Sequence, residues 1–408
     1  MIHKYRPYID LLDIMAALRP GLGRSEFEAA VAARVGVRYA IAFAYGHAGL
    51  IAALRALGLA DADVVLPAYT CTVVADAVVT SGNRPLFVDI DLTDYNMCLE
   101  AVKAALTPQT RAIIATHMYG YPADVDAIRD GVGGGRALIV EDRALGLLTC
   151  TPGTVGLRGD IGLFSFGPVK HLFTVQGGVI ATNSAEYYEK IRAYRDREMT
   201  HLPMALWAKR WLRLFLSAVP FERTLRKTVL HRARQTILAG RGGPGYDDLD
   251  DADLAPSLVA RDYATAYTDF QARVGLSQLH KLDIVLDRRQ KLVEFYDREL
   301  RDVPGLVPAP IVPGATYSHY TVRIRRRDEI GFSQQMRSKG IEVGQMYDHV
   351  LPFRERFRPY TKGTYPNTEQ ATREVVNLPL HPWLRIAEAK YVTQCVRQVL
   401  QQFSYPGE

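Results

Sequence analysis

Hydrophobic and polar positions along the first 200 residues switch repeatedly between two periods. A helical apolar face covers residues 27–35 and Gly36 punctuates its end, after which residues 39–44 form a short buried strand. Tyr45-Gly46-His47-Ala48-Gly49 then leads into a helix over 50–57. The alternation repeats as strand 63–67, helix 71–80, strand 85–88, helix 99–106, strand 112–116, a helix opening over 125–129, and strand 137–140. Strands alternating with helices predict βαβ units, so the expected fold class is α/β, with a mostly parallel sheet flanked by helices.

Two further short strands, 160–166 and 178–182, bracket Lys170, and a helix follows over 187–197. An acidic, Gly- and Pro-rich stretch at 240–256 reads as a loop. Residues 269–299 form a long periodic helix (Phe270, Val274, Leu276, Leu279, Leu282, Val285, Leu286). From Pro304 the pattern changes to strand 320–324, helix 332–339, strand 341–347 and a last helix over 386–403. The expected organisation is a large domain over 1–285, interrupted by a helical insertion at about 201–260, and a smaller α+β domain over 286–408.

Composition narrows the class. The chain of 408 residues is 48% hydrophobic and 23% charged, ordinary values for a globular protein. No apolar run approaches the roughly 20 residues of a membrane span, and the polar N-terminus reads as no secretory signal. Cys71, Cys98, Cys150 and Cys395 are scattered without a CxxC pair. That argues against a disulfide framework or a metal site and fits a reducing cytoplasm. The formal charge of +6 is uneven, because nine Lys and Arg between His201 and Gly242 face only Glu222. The remainder is slightly acidic, so no nucleic-acid partner is expected. In the insertion, Leu206, Trp207, Trp211, Leu212, Leu214, Phe215, Leu216 and Val219 interleave with Lys209, Arg210 and Arg213. Helices packed on the protein itself account for this pattern. Peripheral contact of 203–240 with an anionic membrane is the alternative.

Four places at strand ends carry chemistry, which is where ligands sit in open α/β sheets. Gly46-His47 opens a helix whose free N–H groups can hold a phosphate; a plain strand–helix turn is the other reading. Asp142 ends a buried strand, where a carboxylate pairs with a cofactor ring nitrogen or caps a helix. Lys170 follows Phe164-Ser165-Phe166-Gly167-Pro168-Val169 in apolar surroundings that favour the neutral amine an imine-forming lysine needs. Ser165 offers a phosphate hydrogen bond, and Gly177-Gly178 permits close backbone approach. His117, in His117-Met118-Tyr119-Gly120, is either a pocket residue or a satisfied core histidine.

In this order, these pieces resemble the DegT/DnrJ/EryC1/StrS family of sugar aminotransferases, a branch of the fold-type I pyridoxal phosphate (PLP) enzymes. The resemblance also rests on Phe27-Glu28, Pro67-Ala68-Tyr69-Thr70, Phe87-Val88-Asp89-Ile90-Asp91, Asp269-Phe270-Gln271-Ala272, His319-Tyr320 and Asn377-Leu378-Pro379-Leu380. It implies a homodimer and pyridoxal 5'-phosphate as cofactor. Lys170 would be the Schiff-base lysine and proton shuttle, and Asp142 the partner of the pyridinium nitrogen. Ser165 and the Gly46-His47 backbone would bind phosphate, with His117, Tyr119 and His319 toward the substrate. The implied reaction moves an amino group from an amino acid, usually glutamate, to a keto sugar on a nucleotide. Lys170 also argues against the dehydratase branch, which has a histidine there.

Several positions depart from the family pattern. Cys71 replaces an aromatic residue that stacks on the PLP ring, and Leu145 a Gln or His at the cofactor. Ala264-Thr265-Ala266 replaces an Asn-Tyr-Arg that reaches the partner's phosphate, and Gln176 replaces a Glu. Tyr45 and His47 stand for a Ser and a Thr. Losing a stacking ring or a charged phosphate contact weakens binding by about 1 kcal/mol or more each. A non-sugar carbonyl or amino-acid substrate, or a non-catalytic family member, are the rival readings.

Overall fold

In the computed structural model, every strand expected before residue 185 joins one seven-stranded sheet. The structure describes residues 1–21, 23–133, 137–150, 156–218, 263–324 and 329–402. The strands are β1 (Tyr39–Phe43), β2 (Asp63–Pro67), β3 (Arg84–Val88), β4 (Thr110–Thr116), β5 (Leu138–Asp142), β6 (Ile161–Ser165) and β7 (Gly178–Thr182). Their order is β1-β7-β6-β5-β4-β2-β3. The run from β3 to β6 is parallel, whereas β7 lies antiparallel to both β6 and β1. β2 and β7 are buried at every residue, as expected for strands covered on both faces.

The covering helices are α1 (Leu11–Leu18), α2 (Arg24–Val35), α3 (Gly46–Ala56), α4 (Thr72–Thr80), α5 (Leu99–Ala105), α6 (Val125–Gly131) and α7 (Ala185–Glu198). On one face Leu50 and Leu54 of α3 and Val74 and Val78 of α4 meet Ile41, Leu66, Ile114 and Ile180. On the other, Val102 of α5 and Ile128 of α6 meet Val65, Ile113 and Ile139. Gly36 ends α2 in the left-handed region, at φ 80°.

The second half contains α8 (Met204–Ala218), α9 (Asp269–Leu300), β8 (Leu306–Pro308), β9 (Tyr320–Ile324), α10 (Glu329–Ser338), α11 (Pro366–Glu374), β10 (Val375–Leu378) and α12 (Ile386–Gln402). Its three strands form an antiparallel sheet, β10-β9-β8. A capping box between Thr268 and Gln271 starts α9. The first part of α9 buries Ala272 and Leu282 beside Phe27 of α2, and the last part buries Leu292, Val293 and Tyr296 in the core of the smaller sheet. The expected division at 285/286 falls within this helix.

Two local expectations are corrected. Residues 341–347 do not form a strand: they make only single bridges, Ile341 to Ile2 and Gly344 to Asn377, so neither neighbour offers a continuous edge. Residues 11–18, read as no element, form α1. Leu11, Leu12, Met15 and Leu18 are all exposed, so its large apolar side chains mostly face outward while Ala17 is buried. The helix is also held by a capping box at Asp10 and by buried Asp13, which accepts from Ser277, Gln278 and Lys281. The expected loop at 240–256 and most of the basic insertion lie outside the described residues.

Candidate active site

A cavity of about 260 Å³ opens at the carboxyl ends of β4, β5 and β6 and the N-terminus of α3. Gly46, His47, Cys71, Asp142, Ser165 and Lys170 all line it. His117, Tyr119 and His319 are not on its wall.

Two adjacent carboxylates end β5, and strand alternation sends them to different fates. Asp142 reaches the cavity, and the Ala144 N–H donates to its Oδ1 at 3.0 Å. Burial pushes its carboxyl above the ordinary carboxylate range, against the Ala144 hydrogen bond and the pull of Lys170 and His117. Glu141 is fully buried and not on the cavity wall. Its Oε2 accepts from Arg143 Nε at 2.9 Å, Arg143 Nη2 at 2.7 Å and His117 Nε2 at 3.0 Å. Its Oε1 accepts from the Arg158 and Gly159 N–H groups. Burial raises the Glu141 carboxyl, but these partners outweigh it and hold the pKa at about 2.

Lys170 stands in the turn between β6 and β7, where its N–H donates to the Gly167 carbonyl at 3.1 Å. The side chain is 8% exposed. Burial draws its pKa below the ordinary lysine value, against the pull of Cys71 and Asp142. The site therefore favours the neutral, nucleophilic amine. Val175, farther along the same turn and on the cavity wall, sits at φ 72°, a strained conformation for a β-branched residue.

At the other end, Tyr45 precedes α3 and makes no side-chain cap bond to it. A Cβ on Gly178 would stand 2.4 Å from Gly46 Cα and 2.5 Å from Gly46 N. Only glycine lets β7 begin so close to the start of α3. Ser165 ends β6 on the same wall.

A phosphorylated pyridine aldehyde suits this donor set: an amine for the aldehyde, a buried carboxylate for the ring nitrogen, and a helix N-terminus with a hydroxyl for the phosphate. Thr116 Oγ1, on the wall at the end of β4, is buried and has no hydrogen-bond partner among the described residues. The cavity is otherwise walled by aliphatic Val74, Leu145 and Val175 and by Tyr347, with half-buried Cys71 beginning α4.

His117 Nδ1 accepts from the Ala123 N–H at 3.2 Å, which places its proton on Nε2 for the bond to Glu141. Burial lowers its pKa, so the ring is a neutral brace beneath Asp142. The Tyr119 hydroxyl meets the Tyr69 hydroxyl at 2.7 Å, and its ring lies edge-on to His319 at 5.5 Å. The Nε2 of His319 is buried without a partner among the described residues. Tyr69 and Tyr119 also pack against Tyr347, at 5.4 and 6.4 Å between centroids, so this layer stands behind a cavity residue. Sequence reading missed Thr116, Tyr347 and Arg213 on the wall. Thr116 was signalled by its place at the end of a parallel strand; the other two were not. Among the described residues, no cluster of His, Cys, Asp and Glu suits a metal ion, and no helix is long and apolar enough to cross a membrane.

Comparison with known proteins agrees with this geometry. The model of the DegT/DnrJ/EryC1/StrS aminotransferase family matches residues 11–211 and 259–397. The dTDP-4-dehydro-2,3,6-trideoxy-D-glucose 4-aminotransferase of Saccharopolyspora spinosa is 30% identical over 412 residues, covering 96% of this chain and 95% of its own. The aminotransferase TlmJ from Streptoalloteichus hindustanus superposes with a TM-score of 0.78 at 25% identity, over 99% of this chain and 100% of that one. Helicobacter pylori PseC, an aminotransferase involved in the biosynthesis of pseudoaminic acid, shares the fold with a TM-score of 0.78 at 18% identity, over 98% and 99% of the two chains. The chain therefore belongs to the DegT/DnrJ/EryC1/StrS aminotransferase family, and is a pyridoxal-phosphate-dependent sugar aminotransferase of fold type I.

Proposed function

We propose that this enzyme transfers the amino group of an amino acid, glutamate in the expected case, to the carbonyl carbon of a keto sugar carried on a nucleotide. The observation that carries the chemistry is one cavity walled by the Lys170 amine, the Asp142 carboxylate and the start of α3. The nucleotide-linked acceptor is supported by the Saccharopolyspora spinosa relative, whose name specifies a dTDP-linked sugar.

PLP, when bound, supplies an aldehyde for amine exchange and a ring that accepts electrons from the carbon losing its proton. Asp142 would keep a proton on the ring nitrogen, whose positive charge would offset the burial that raises the pKa of its carboxyl. Gly46 and His47 N–H groups and the Ser165 hydroxyl hold the phosphate, helped by the dipole of α3. Lys170 Nζ would hold the aldehyde carbon and would take up and return the proton that the donor's α carbon loses. Val74, Leu145 and Val175 exclude water from that transfer. Tyr347 meets the substrate, positioned from behind by Tyr119 and His319; His117 acts through Glu141 on the end of β5. A homodimer is part of the proposal. So is contact of 203–240 with anionic lipid, favoured by exposed Met204, Leu212 and Phe215 and removed if the protein does not float with anionic liposomes.

The test is incubation of the PLP-loaded enzyme with glutamate and a 4-keto-sugar nucleotide. Equal amounts of 2-oxoglutarate and amino sugar are expected, and none from Lys170→Ala. Transfer to a carbonyl without a nucleotide, and none to the keto-sugar nucleotide, overturns the acceptor assignment.

A further inference from the structure

We propose that Arg213, delivered by helix α8, is a phosphate-binding residue of the cofactor cavity; this rests on the reading that the cavity holds PLP.

α8 is docked so that one face meets the phosphate end. The Trp211 ring stacks on Phe270 at 4.9 Å, and Leu214 is fully buried. Arg210, only 3% exposed, donates to Gln271 Oε1 and to Thr265 Oγ1, both at 3.1 Å. With its amide oxygen turned to them, Gln176 also accepts from Arg210 Nε at 3.0 Å and Nη2 at 2.7 Å, and from the Tyr45 hydroxyl at 2.9 Å. Tyr45 is the residue immediately before α3. Arg210 thus ties α8 to the start of α3, and Arg213, three residues on, shares its face. Arg213 lines the cavity with Gly46, His47, Ser165, Gln176 and Gly177.

Charge explains what an arginine does there. A phosphate monoester carries about −1.5 to −2 at neutral pH, while a helix N-terminus offers only about half a positive charge. Arg213 is the sole arginine on the wall among the described residues, and burial pulls the other long cationic side chain, Lys170, toward neutrality. A guanidinium forks onto phosphate oxygens with two charge-assisted hydrogen bonds. The family match stops at 211 and resumes at 259, so Arg213 lies outside the residues that the family model matches.

Pyridoxal phosphate and unphosphorylated pyridoxal separate this role from a structural one. Both are titrated into cofactor-free wild type, Arg213→Ala and Arg213→Lys, read by absorbance of bound ligand and by mass after borohydride reduction. Arg213→Ala is expected to weaken pyridoxal phosphate binding by about 10–100-fold, the worth of a hydrogen bond to a charged group. Pyridoxal binding should stay within about 2-fold of wild type, with Arg213→Lys intermediate for the phosphorylated ligand. Equal weakening of both ligands means that Arg213 only holds α8 in place and overturns the proposal, as does no change in either. Wild type that fixes neither ligand on Lys170 overturns the cofactor reading itself, a separate result.

Discussion

In the proposed mechanism the cavity has a ring end and a phosphate end, and the two are built by different means. At the ring end, Asp142 and Lys170 come from the end of β5 and the turn that links β6 to β7. Both are buried, and the cushion beneath Asp142 is a saturated network of Glu141, His117 and Arg143. At the phosphate end, the parts are the start of α3, the Gly178–Gly46 approach and a side chain from α8. Sheet ends position chemistry rigidly. Helix starts and a side chain from α8 set affinity, and they can be exchanged without disturbing the reacting atoms. Asp142, Lys170, Gly46 and Gly178 all lie inside the residues matched by the family, and Arg213 lies outside them.

The strongest break is at the ring end. Lys170→Ala removes both the amine that meets the aldehyde and the group that moves the proton. A loss of at least about 10³-fold in kcat/KM is expected from the missing acid–base step alone. Added methylamine should restore part of it, since a free amine can replace a positioned one. Transfer at the wild-type rate would remove Lys170 from the mechanism.

Glu141→Gln attacks the same end from beneath. Every group around the Glu141 carboxylate is a donor, so an amide NH₂ meets donors and the Arg143 guanidinium loses its charge partner. Breaking a buried pair in this way costs about 3–5 kcal/mol of stability, read as a lowered unfolding midpoint. The pH dependence has a definite sign. A carboxyl held at about 2 in the fold stabilises fully above its ordinary 4.5 and loses that contribution as pH falls toward 2. A buried neutral His117, with its pKa below 6.5, likewise stabilises above that value and less below it. Wild type should therefore lose stability in two stages on acidification, and Glu141→Gln should lack the second. A single stage shared by both proteins would detach Glu141 from the network.

The same contrast decides what was readable in the sequence. β2, β7 and β9 fall on the expected residues, because each is a short β-branched or aromatic run between turn residues. The Lys170 site was legible because strand, lysine and paired glycines occupy one continuous stretch. The role of His117 was not. It depends on the β4–β5 register, which pairs Ala115 with Glu141 and Thr116 with Asp142, and register across parallel strands leaves no local mark. Arg213 was visible only as charge, since its place on the wall requires Trp211 of α8 to find Phe270 of α9. Helix α1 escaped because its large apolar residues face outward, and buried Asp13 and Ala17 hold it down.

The smallest expected effect tests whether the two ends are separable. Gly178→Ala places a methyl group 2.4 Å from Gly46 Cα and 2.7 Å from the Phe164 carbonyl oxygen. Both obstacles are backbone, so neither can rotate aside, and the start of α3 must shift. Overpacking of this kind costs about 1–3 kcal/mol. Displaced N–H groups at Gly46 and His47 should weaken pyridoxal phosphate binding, while pyridoxal, which has no phosphate to lose contact with, should bind as before. If pyridoxal weakens in step with its phosphate ester, the shift has travelled along β7 and β6 to Lys170. The cavity then behaves as one rigid unit, and the division between a fixed chemical end and an exchangeable binding end is wrong.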